Sequence, residues 1–381
     1  MIFEKVKLKD ICSSISDGDH QAPPKATKGV PFVTITNITN TNQFDFSNTM
    51  FVPQEYYDGL DSKRKAQEGD ILYSVVGSFG IPVYIKEATP FVFQRHIAIL
   101  KPNTDKIVPG FLYYTMLNRD FYMKADAVAL GAAQRTISLT ALRNMEIEIP
   151  HIEVQKKIVK VLSSYDNLIE NNQKQIKLLE EAAQRLYKEW FVDLRFPGYE
   201  NTAIIDGVPE GWRKANLPEI SPIVTGKKDA NFGTTDGKYL FFTCAQEPIK
   251  APSFSFDCDA VILAGNGDFN VKLYRGQFEA YQRTYVFSPY NSEDLYLLYY
   301  AVKENMRQLF QGASGSTIKF LTKRMLEEIL VFVPDEKMLE LFNQNCELLQ
   351  KKIEALKAQI SLAQEARERL LPKLMSGEIE V

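Results

Sequence analysis

Two long heptad patterns constrain this chain more than any other feature of its sequence. Mostly apolar positions, spaced alternately three and four residues apart, run through residues 162–190 and again through residues 339–374. Each pattern holds for at least four heptads, which is the usual criterion for a coiled coil. One constant offset superimposes the two registers and takes Glu181-Ala182 to Glu365-Ala366. The sequence therefore predicts two long helices packed along these stripes, in which a single stripe residue usually has only a structural role.

The region that precedes each helix also occurs twice. Each copy begins with an Asp before a β-rich run that ends in a glycine turn. This run is followed by a Gln-Arg pair, a helical pattern, a glycine loop and a β segment that ends in Pro. The matched segments are residues 69–80 with 258–270, Gln94-Arg95 with Gln282-Arg283, residues 111–124 with 295–310, residues 131–137 with 312–318 at an offset of 181, and Pro150 with Pro334 at an offset of 184. Such self-similarity is typical of a duplicated unit. One globular domain followed by one helix is therefore predicted to be used twice.

The predicted fold is α+β, with a pseudo-two-fold internal repeat. Its boundaries are residues 1–150 and 197–334 for the globular domains, and residues 151–196 and 335–381 for the helices. A helix of about 40 residues is about 60 Å long. The compact second domain joins the end of the first helix to the start of the second, so those two ends are close together. We therefore expect an antiparallel coiled-coil spacer with one globular domain at each end.

Charge and composition narrow the function. The 45 Lys and Arg residues against 48 Asp and Glu give a net charge of −3, so no large basic field indicates nucleic acid. Any DNA contact must then depend on local loops. No apolar run approaches the roughly 20 residues that span a bilayer, and the charged first residues are unlike a secretory signal, so a cytoplasmic location without membrane contact is expected. The four cysteines form no CxxC pair and predict neither a zinc site nor a disulfide framework.

Motifs for catalysis are missing from the sequence. There is no glycine-rich cofactor loop with an Asn-Pro-Pro-aromatic stretch for adenine methylation, no GxxxxGK[ST] for nucleotide hydrolysis, and no GxSxG. His20, His96 and His151 share no metal-ligand spacing. The charges in the segment 334–337 lie at a predicted helix start, where carboxylates offset the helix dipole. We infer recognition rather than reaction.

Several motifs resemble those of a known family. They are Trp190-Phe191-Val192-Asp193 with Phe196-Pro197-Gly198, the segment 370–379, Asp17-Gly18-Asp19-His20 with Pro23-Pro24, and Gly69-Asp70-Ile71-Leu72. On these motifs the chain resembles, over essentially its whole length, the specificity subunits of type I restriction-modification systems. The second domain departs from the pattern, because Cys258-Asp259 stands where the first domain has Gly69-Asp70.

The resemblance implies a non-catalytic DNA-binding subunit. Each globular domain would be a target recognition domain that reads one half of a split sequence in double-stranded DNA, and the helices would set the unspecified gap. Two methyltransferase subunits would dock on the chain, and a separate restriction and motor subunit would cut unmethylated DNA. S-adenosylmethionine and ATP are expected on those partner subunits, and no cofactor or metal in this chain. Two similar domains at a fixed separation suit two half-sites on one duplex.

The repeat suggests how DNA contacts divide. Two domains that read different half-sites cannot distinguish them with shared features, so the Gln-Arg pairs and the pairs Thr136-Ile137 and Thr317-Ile318 should be structural or contact phosphates. Base readers should lie where the copies differ, since Arg pairs with guanine and Asn with adenine. The candidate DNA-binding residues are Lys25, Lys28, Ser74, Ser78, Arg95, Arg135 and Thr136 in the first domain, and Lys227, Lys228, Asn231, Asn266, Asn270, Arg283, Ser316 and Thr317 in the second.

Four residues at the ends of the helices are candidates for partner binding: Trp190, Phe191, Leu370 and Leu371. In one interpretation they cap the helical seam against the adjoining globular domain. In the other, part of this surface docks a methyltransferase subunit. Two further functions remain open, namely a coiled-coil scaffold that bridges two protein partners without binding DNA, and a DNA-modifying enzyme with an unrecognised site.

Overall fold

A computed structural model of the chain describes residues 2–39, 41–131, 135–267, 269–315 and 319–381. The chain divides into two compact units, Met1–Asn171 with Gln359–Val381, and Asn172–Ala358. Each unit holds one globular region and a part of each long helix. The mixed architecture, the two globular regions and the paired long helices confirm the predicted fold class.

The first unit combines short strands with helices. Its strands are β1 (Phe3–Lys7), β2 (Cys12–Asp17), β3 (Val30–Val33), β4 (Met50–Val52), β5 (Ile71–Ser74), β6 (Pro82–Tyr84), β7 (Val92–Phe93), β8 (Ile97–Pro102) and β9 (Glu146–Pro150). They pair in the orders β1-β9, β2-β8-β5-β6 and β4-β3-β7. Its helices are α1 (Leu8–Ile11), α2 (Gln54–Asp58), α3 (Pro109–Leu117), α4 (Arg119–Val128), α5 (Leu139–Asn144) and the first part of α6 (Ile152–Tyr187).

The central strands β5 and β8 form the core of this unit. Residues 71–73 of β5 and 97–100 of β8 are continuous apolar runs, as expected for strands covered on both faces. Because successive side chains point to opposite faces, Ile71 and Tyr73 pack in the helix-covered core, whereas Leu72 packs on the other face with Phe91 and Phe93. The two faces of one sheet thus serve two apolar clusters.

The single helical pattern predicted at residues 111–124 is two helices in the structure. Asn118 between α3 and α4 has an extended ψ of 138°, and its side chain accepts a hydrogen bond from the Asp120 amide at 3.4 Å. This is an N-cap, which starts a new helix at Arg119. In the second unit the matching pattern forms one uninterrupted helix.

The two long helices run antiparallel within the first unit. The last part of α10 (Glu336–Ser376) packs on the first part of α6. Lys157 Nζ lies 3.1 Å from the carbonyl oxygen of Val381, and Arg367 Nη1 lies 2.7 Å from Asp166 Oδ1. Later residues of α6 therefore meet earlier residues of α10, as the sequence predicts.

The second unit likewise combines short strands, helices and parts of the two long helices. Its strands are β10 (Ile204–Ile205), β11 (Val208–Pro209), β12 (Arg213–Asn216), β13 (Ile223–Thr225), β14 (Tyr239–Phe242), β15 (Ile249–Ala251), β16 (Phe256–Ala264), β17 (Val271–Ala280), β18 (Thr284–Phe287) and β19 (Leu330–Val333). They pair in the orders β10-β11, β12-β19 and β13-β18-β16-β17-β14-β15. Its helices are α7 (Leu217–Ile220), α8 (Leu295–Gly312), α9 (Lys323–Glu327) and the adjoining parts of α6 and α10.

An aromatic cluster joins the long helices in the second unit. After α6 the chain makes a π-helical turn, Lys188–Val192, which buries Trp190 and Phe191. Their ring centroids lie 5.9 and 4.8 Å from that of Phe342 on α10. The end of α6 thus meets the start of α10, which is again the antiparallel arrangement. Every position of the two predicted heptad stripes is buried or half-buried.

The two globular regions differ in how their sheets join. In the first unit, the short strands β6 and β7 belong to separate sheets. In the second unit, the ten-residue strand β17 replaces both, because it pairs antiparallel with β16 and parallel with β14. One six-stranded sheet results. The duplication therefore preserves strand pairing better than it preserves strand length.

Candidate nucleic-acid interface

Four chain segments meet at one edge of the first globular region. We call this edge loop edge 1, and it consists of residues 18–20, 75–78, 94–96 and 135–137. Main-chain hydrogen bonds join the segments: Arg95 N to Asp19 O at 3.0 Å, Val75 N to His96 O at 2.8 Å, Gly77 N to Arg135 O at 3.0 Å and Ile137 N to Val75 O at 2.9 Å. The segments lie far apart in sequence and are joined by these hydrogen bonds into one cluster.

The second globular region has the same edge. Loop edge 2 consists of residues 226–228, 265–267, 281–283 and 319–321. Its bonds run from Gln282 N to Lys228 O at 2.9 Å, Gly265 N to Arg283 O at 2.8 Å, Gly267 N to Lys319 O at 3.0 Å and Leu321 N to Gly265 O at 2.8 Å. These four bonds reproduce those of loop edge 1 one for one.

A glycine starts each edge for a steric reason. A Cβ atom on Gly18 would lie 2.0 Å from the carbonyl oxygen of Phe93, and one on Gly226 would lie 2.0 Å from that of Ala280. No side chain fits at either position, because real Cβ atoms do not approach a backbone oxygen so closely. The glycine of the Asp-Gly-Asp-His motif is thus required by the fold of the edge.

The matching bonds correct the predicted pairing of Gln94-Arg95 with Gln282-Arg283. The amide of Gln94 donates to Val33 and its carbonyl accepts from Ile97, whereas the equivalent bonds in the second unit are made by Tyr281. Arg95 therefore corresponds to Gln282, and His96 to Arg283. The prediction that the Gln-Arg pair is shared is wrong by one residue, because the turn geometry and not the letter identity sets the correspondence.

The pairing of the glycine loops is also corrected. Arg135 and Lys319 make the same main-chain bond to a glycine amide, and the isolated bridge Val76–Thr136 corresponds to the bridge Asn266–Phe320. Arg135 therefore corresponds to Lys319 and Thr136 to Phe320, at the offset that also relates Pro150 to Pro334 and not at the predicted one. The predicted counterparts Ser316, Thr317 and Ile318 lie outside the described residues. Lys319 is a candidate that the sequence alignment missed.

The candidates of the first domain differ in accessibility. Lys25, Lys28, Ser78 and Arg95 are exposed, and Arg135 and Thr136 are half-buried. Ser74 is fully buried, and its Oγ accepts a hydrogen bond from the Ile81 amide at 2.9 Å. The predicted DNA contact by Ser74 is therefore wrong, since this hydroxyl holds the turn after β5.

The candidates of the second domain show a similar range. Lys227, Asn231 and Arg283 are exposed, whereas Lys228, Asn266 and Asn270 are half-buried. The Lys228 ammonium lies 4.4 Å from the ring centroid of Phe232, and Asn270 Nδ2 donates to the Cys244 carbonyl at 3.1 Å. Lys227, Lys228 and Arg283 lie on loop edge 2 itself, and Asn266 lies within its glycine turn.

Charge distinguishes the two edges at one matched position. On loop edge 1 this position is Asp19, which is buried, accepts a hydrogen bond from the Tyr56 hydroxyl at 2.8 Å and lies 3.5 Å from Arg64 Nη1. Burial, together with this hydrogen bond to Asp19, raises the pKa of Tyr56 to about 12. On loop edge 2 the position is Lys228. The sequence did not reveal this reversal, because the two segments share only their glycine.

The matched cations Arg135 and Lys319 have different partners. Arg135 Nη2 donates to the side chain and to the backbone carbonyl of Asp126, at 2.5 and 2.6 Å. Lys319 Nζ donates to the backbone carbonyl of Phe310 at 3.2 Å and lies 4.2 Å from the Phe310 ring centroid. Asp126 and Phe310 are themselves related by the offset that relates Arg135 to Lys319, so the backbone contact is shared and the carboxylate is not.

Comparison with known proteins identifies the chain's relatives. Residues 2–181 match the family model of the type I restriction modification DNA specificity domain. The specificity subunit of type I restriction enzyme EcoDI from Escherichia coli is 35% identical over 176 residues, which cover 45% of this chain and 39% of that protein. The chain is related to the specificity subunits of type I restriction enzymes. This confirms the predicted resemblance.

Two further relatives extend the match. The MjaIX specificity subunit from Methanocaldococcus jannaschii is 25% identical over 311 residues, covering 73% of this chain and 70% of that protein. The crystal structure of a type I restriction-modification S subunit from M. genitalium superposes with a TM-score of 0.58 at 16% identity, covering 98% of this chain and 96% of that one. The match to the EcoDI subunit spans well under half of that protein. The structural match, in contrast, shows that the fold of the M. genitalium S subunit extends over 98% of this chain.

The residues predicted to bind partners of a specificity subunit are mostly internal. Trp190, Phe191 and Leu371 are buried, and Leu370 is half-buried and packs on the core of the first unit. Their position supports the capping interpretation. A direct contact of the three buried side chains with a partner is contradicted, because the apolar cores of the units already enclose them.

Two exposed leucines on the long helices were missed by the sequence argument. Leu178 on α6 is 64% exposed and Leu362 on α10 is 66% exposed. They occupy the same place in the repeat, since Leu178 lies two positions after the stripe residue Ile176 and Leu362 two positions after Ile360. Reading the heptads for apolar residues outside the seam would have found them. Their equivalent positions in the repeat, rather than their exposure alone, distinguish them from other exposed leucines of the long helices.

Within the described residues, no cluster of three or more His, Cys, Asp or Glu side chains could hold a metal ion. No helix in the described part of the chain is both long and apolar enough to span a membrane.

Proposed function

We propose that the chain is the DNA-binding specificity subunit of a type I restriction-modification complex, in which each loop edge reads one half of a split target. The observation that carries this proposal is the pair of loop edges, which share four main-chain bonds but present different side chains. A common backbone with divergent side chains suits two domains that bind the same kind of ligand with different sequence preference. We further propose residues 1–150 and 197–334 as the recognition domains, and residues 151–196 and 335–381 as the spacer.

The accessible polar residues support direct readout. Arg95 on loop edge 1 and Arg283 on loop edge 2 are exposed and occupy adjacent, non-equivalent turn positions. Because guanidinium groups pair bidentately with guanine, each is a candidate reader of its own half-site. Lys227 lies on loop edge 2, and Lys25 and Lys28 follow the first segment of loop edge 1 in sequence. All three are exposed lysines, which suit phosphate contacts that fix register without specifying bases.

The spacer supports partner binding through the matched leucines. Leu178 and Leu362 lie at equivalent repeat positions, so each would present the same surface to one of two identical methyltransferase subunits. S-adenosylmethionine would be bound by those subunits, and ATP by a separate restriction and motor subunit. The buried helix ends would then act indirectly, by holding the helices straight beneath the docking surfaces.

The test of the DNA function is a co-expression experiment. The full chain is purified with the methyltransferase subunits, and the complex is incubated with random duplex DNA, from which bound molecules are sequenced. A split sequence, with two specified parts and an unspecified gap of constant length, is the expected result. Assembly with the partners but no retention of any duplex would refute DNA recognition and would favour the protein scaffold.

The test of partner binding measures stoichiometry. Leu178→Asp and Leu362→Asp should each remove one methyltransferase subunit, and the double variant should remove both, as read from the mass of the native complex. Leu348→Asp is the matched control, because Leu348 is 70% exposed on α10 but its repeat counterpart is Ser164. If the control has the same effect, or if neither variant changes the mass, the matched leucines are not the docking sites.

A further inference from the structure

The aromatic corner around Lys319 has no counterpart in sequence on loop edge 1. Phe310 at the end of α8 is 50% exposed, and Phe320 next to Lys319 is 39% exposed. The equivalent positions in the first unit are Asp126 and Thr136, as the corrected register shows. Lys319 thus has one exposed ring in contact with it and a second on the next residue, where loop edge 1 has a carboxylate and a hydroxyl.

The ammonium of Lys319 is held in place without being neutralised by the groups it contacts. It donates to the Phe310 carbonyl and lies above the Phe310 ring, whose own position is fixed by an edge contact with Phe269 at 5.8 Å between centroids. Neither contact carries a formal negative charge. Among the described residues, no carboxylate forms an ion pair with Lys319, whereas Arg135 forms one with Asp126. The fixed position lowers the entropy cost of binding an anion, because fewer rotamers must be lost.

From these observations we propose that Lys319 contacts a DNA backbone phosphate from loop edge 2, and that its counterpart Arg135 instead positions loop edge 1 through Asp126. This inference rests on the proposed DNA function and adds the residue and the kind of contact. A phosphate would supply the negatively charged partner that the Lys319 ammonium lacks among the described residues. The exposed rings of Phe310 and Phe320 would offer apolar surface to the adjoining sugar. The contact holds the duplex in register and reads no base.

Salt dependence separates this contact from base readout. Each phosphate neutralised by a cation releases counterions, so the slope of log K against log salt changes by about 0.9 for one contact. In the complex with methyltransferase subunits, Lys319→Met should lower the slope by that amount and weaken binding about fivefold at roughly 0.15 M salt. The loss should be equal on the selected split sequence and on a scrambled duplex. Met keeps an apolar stem over the Phe310 ring, so folding is preserved.

Controls make the result specific. Lys319→Arg should retain the slope, and Lys351→Met should leave it unchanged, because Lys351 is an exposed lysine of α10 outside the loop edge. An unchanged slope in Lys319→Met overturns the proposal, and so does an altered base preference. If the wild-type complex binds neither duplex, the DNA function itself fails. If it binds both and Lys319→Met behaves like wild type, only the phosphate contact fails.

Discussion

Loop edge 1 and loop edge 2 have the same backbone but different chemistry. Loop edge 1 has a buried Asp19 held by Tyr56 and Arg64, and a cation, Arg135, that is ion-paired with Asp126. Loop edge 2 has Lys228 and Lys319 at the matching positions. The difference shows that a duplicated scaffold keeps its main-chain bonds while its side-chain charges change. It also explains how a chain of net charge −3 can present a local basic surface.

The largest expected effect tests the common backbone. Gly18→Ala and Gly226→Ala should each destabilise their own unit by roughly 3 kcal/mol, because the new Cβ would overlap a backbone oxygen that cannot move alone. Thermal unfolding of the full chain measures the loss. Gly59→Ala is the control, since its Cβ would come no closer than an ordinary 3.4 Å to a neighbour, the Glu55 carbonyl oxygen. A large effect at only one of the two sites would show that the edges are not equivalent.

The next prediction concerns the polar contacts between each globular region and the long helices. In the first unit, Asp166 accepts from the Tyr114 hydroxyl at 2.6 Å and pairs with Arg367 at 2.7 Å, and both charged side chains are largely buried. Asp166→Ala should cost about 3 kcal/mol in unfolding free energy, because it leaves the Arg367 charge unpaired. Asp166→Asn, which keeps the acceptor for Tyr114, should lose less. Equal losses would mean that packing rather than charge is disturbed.

The corresponding polar contact in the second unit predicts that the stability of this unit depends on pH. Glu347 accepts from the Tyr296 hydroxyl at 2.6 Å, and this hydrogen bond, followed by the charge of Arg275, lowers the pKa of the Glu347 carboxyl. A folded pKa below the unfolded value stabilises the unit above the unfolded pKa. That stability is lost as the pH falls through the folded pKa, so the loss begins below about pH 4.3. Denaturant titrations of wild type and Glu347→Gln should converge at low pH. Parallel curves would contradict the linkage.

A third comparison concerns base readout and follows from the corrected register. Arg95 and Arg283 are not equivalent, so Arg95→Ala should relax one position of the first half-site only, and Arg283→Ala one position of the second only. Each should reduce discrimination by about 1–3 kcal/mol. Sequencing of the DNA selected by each variant complex measures this. A uniform loss of affinity on all sequences would assign both residues to the phosphate backbone.

The smallest expected effect on stability tests why Arg135 and Lys319 differ. The Asp126–Arg135 pair is 40% exposed on both sides, so Asp126→Ala should change the unfolding free energy by less than about 1 kcal/mol. It should also release the Arg135 charge and raise the salt slope of DNA binding by about 0.9. Loop edge 1 would then behave like loop edge 2. An unchanged slope would show that Arg135 cannot reach the DNA.

The sequence by itself determined the long helices and the duplication. The stripes at Leu162 and Leu339 are buried because the heptad spacing sets which helix face is apolar, and this depends only on local periodicity. The missing catalytic motifs likewise directed the interpretation to recognition. These features need no knowledge of contacts between distant segments.

Only the tertiary structure decided which residues of the two copies correspond. The alignment of Arg135 with Ser316, and of Arg95 with Arg283, followed letters in short loops where insertions are tolerated. In the folded chain, Lys319 and Gln282 take those places, because main-chain hydrogen bonds to distant segments define each position. Burial likewise decided the role of Ser74, whose polarity suggested a surface but whose surroundings are core, and it favoured the capping interpretation of Phe191 over partner docking. Contacts between segments far apart in sequence determine both which residues correspond and which side chains are buried. The local sequence pattern does not encode these contacts.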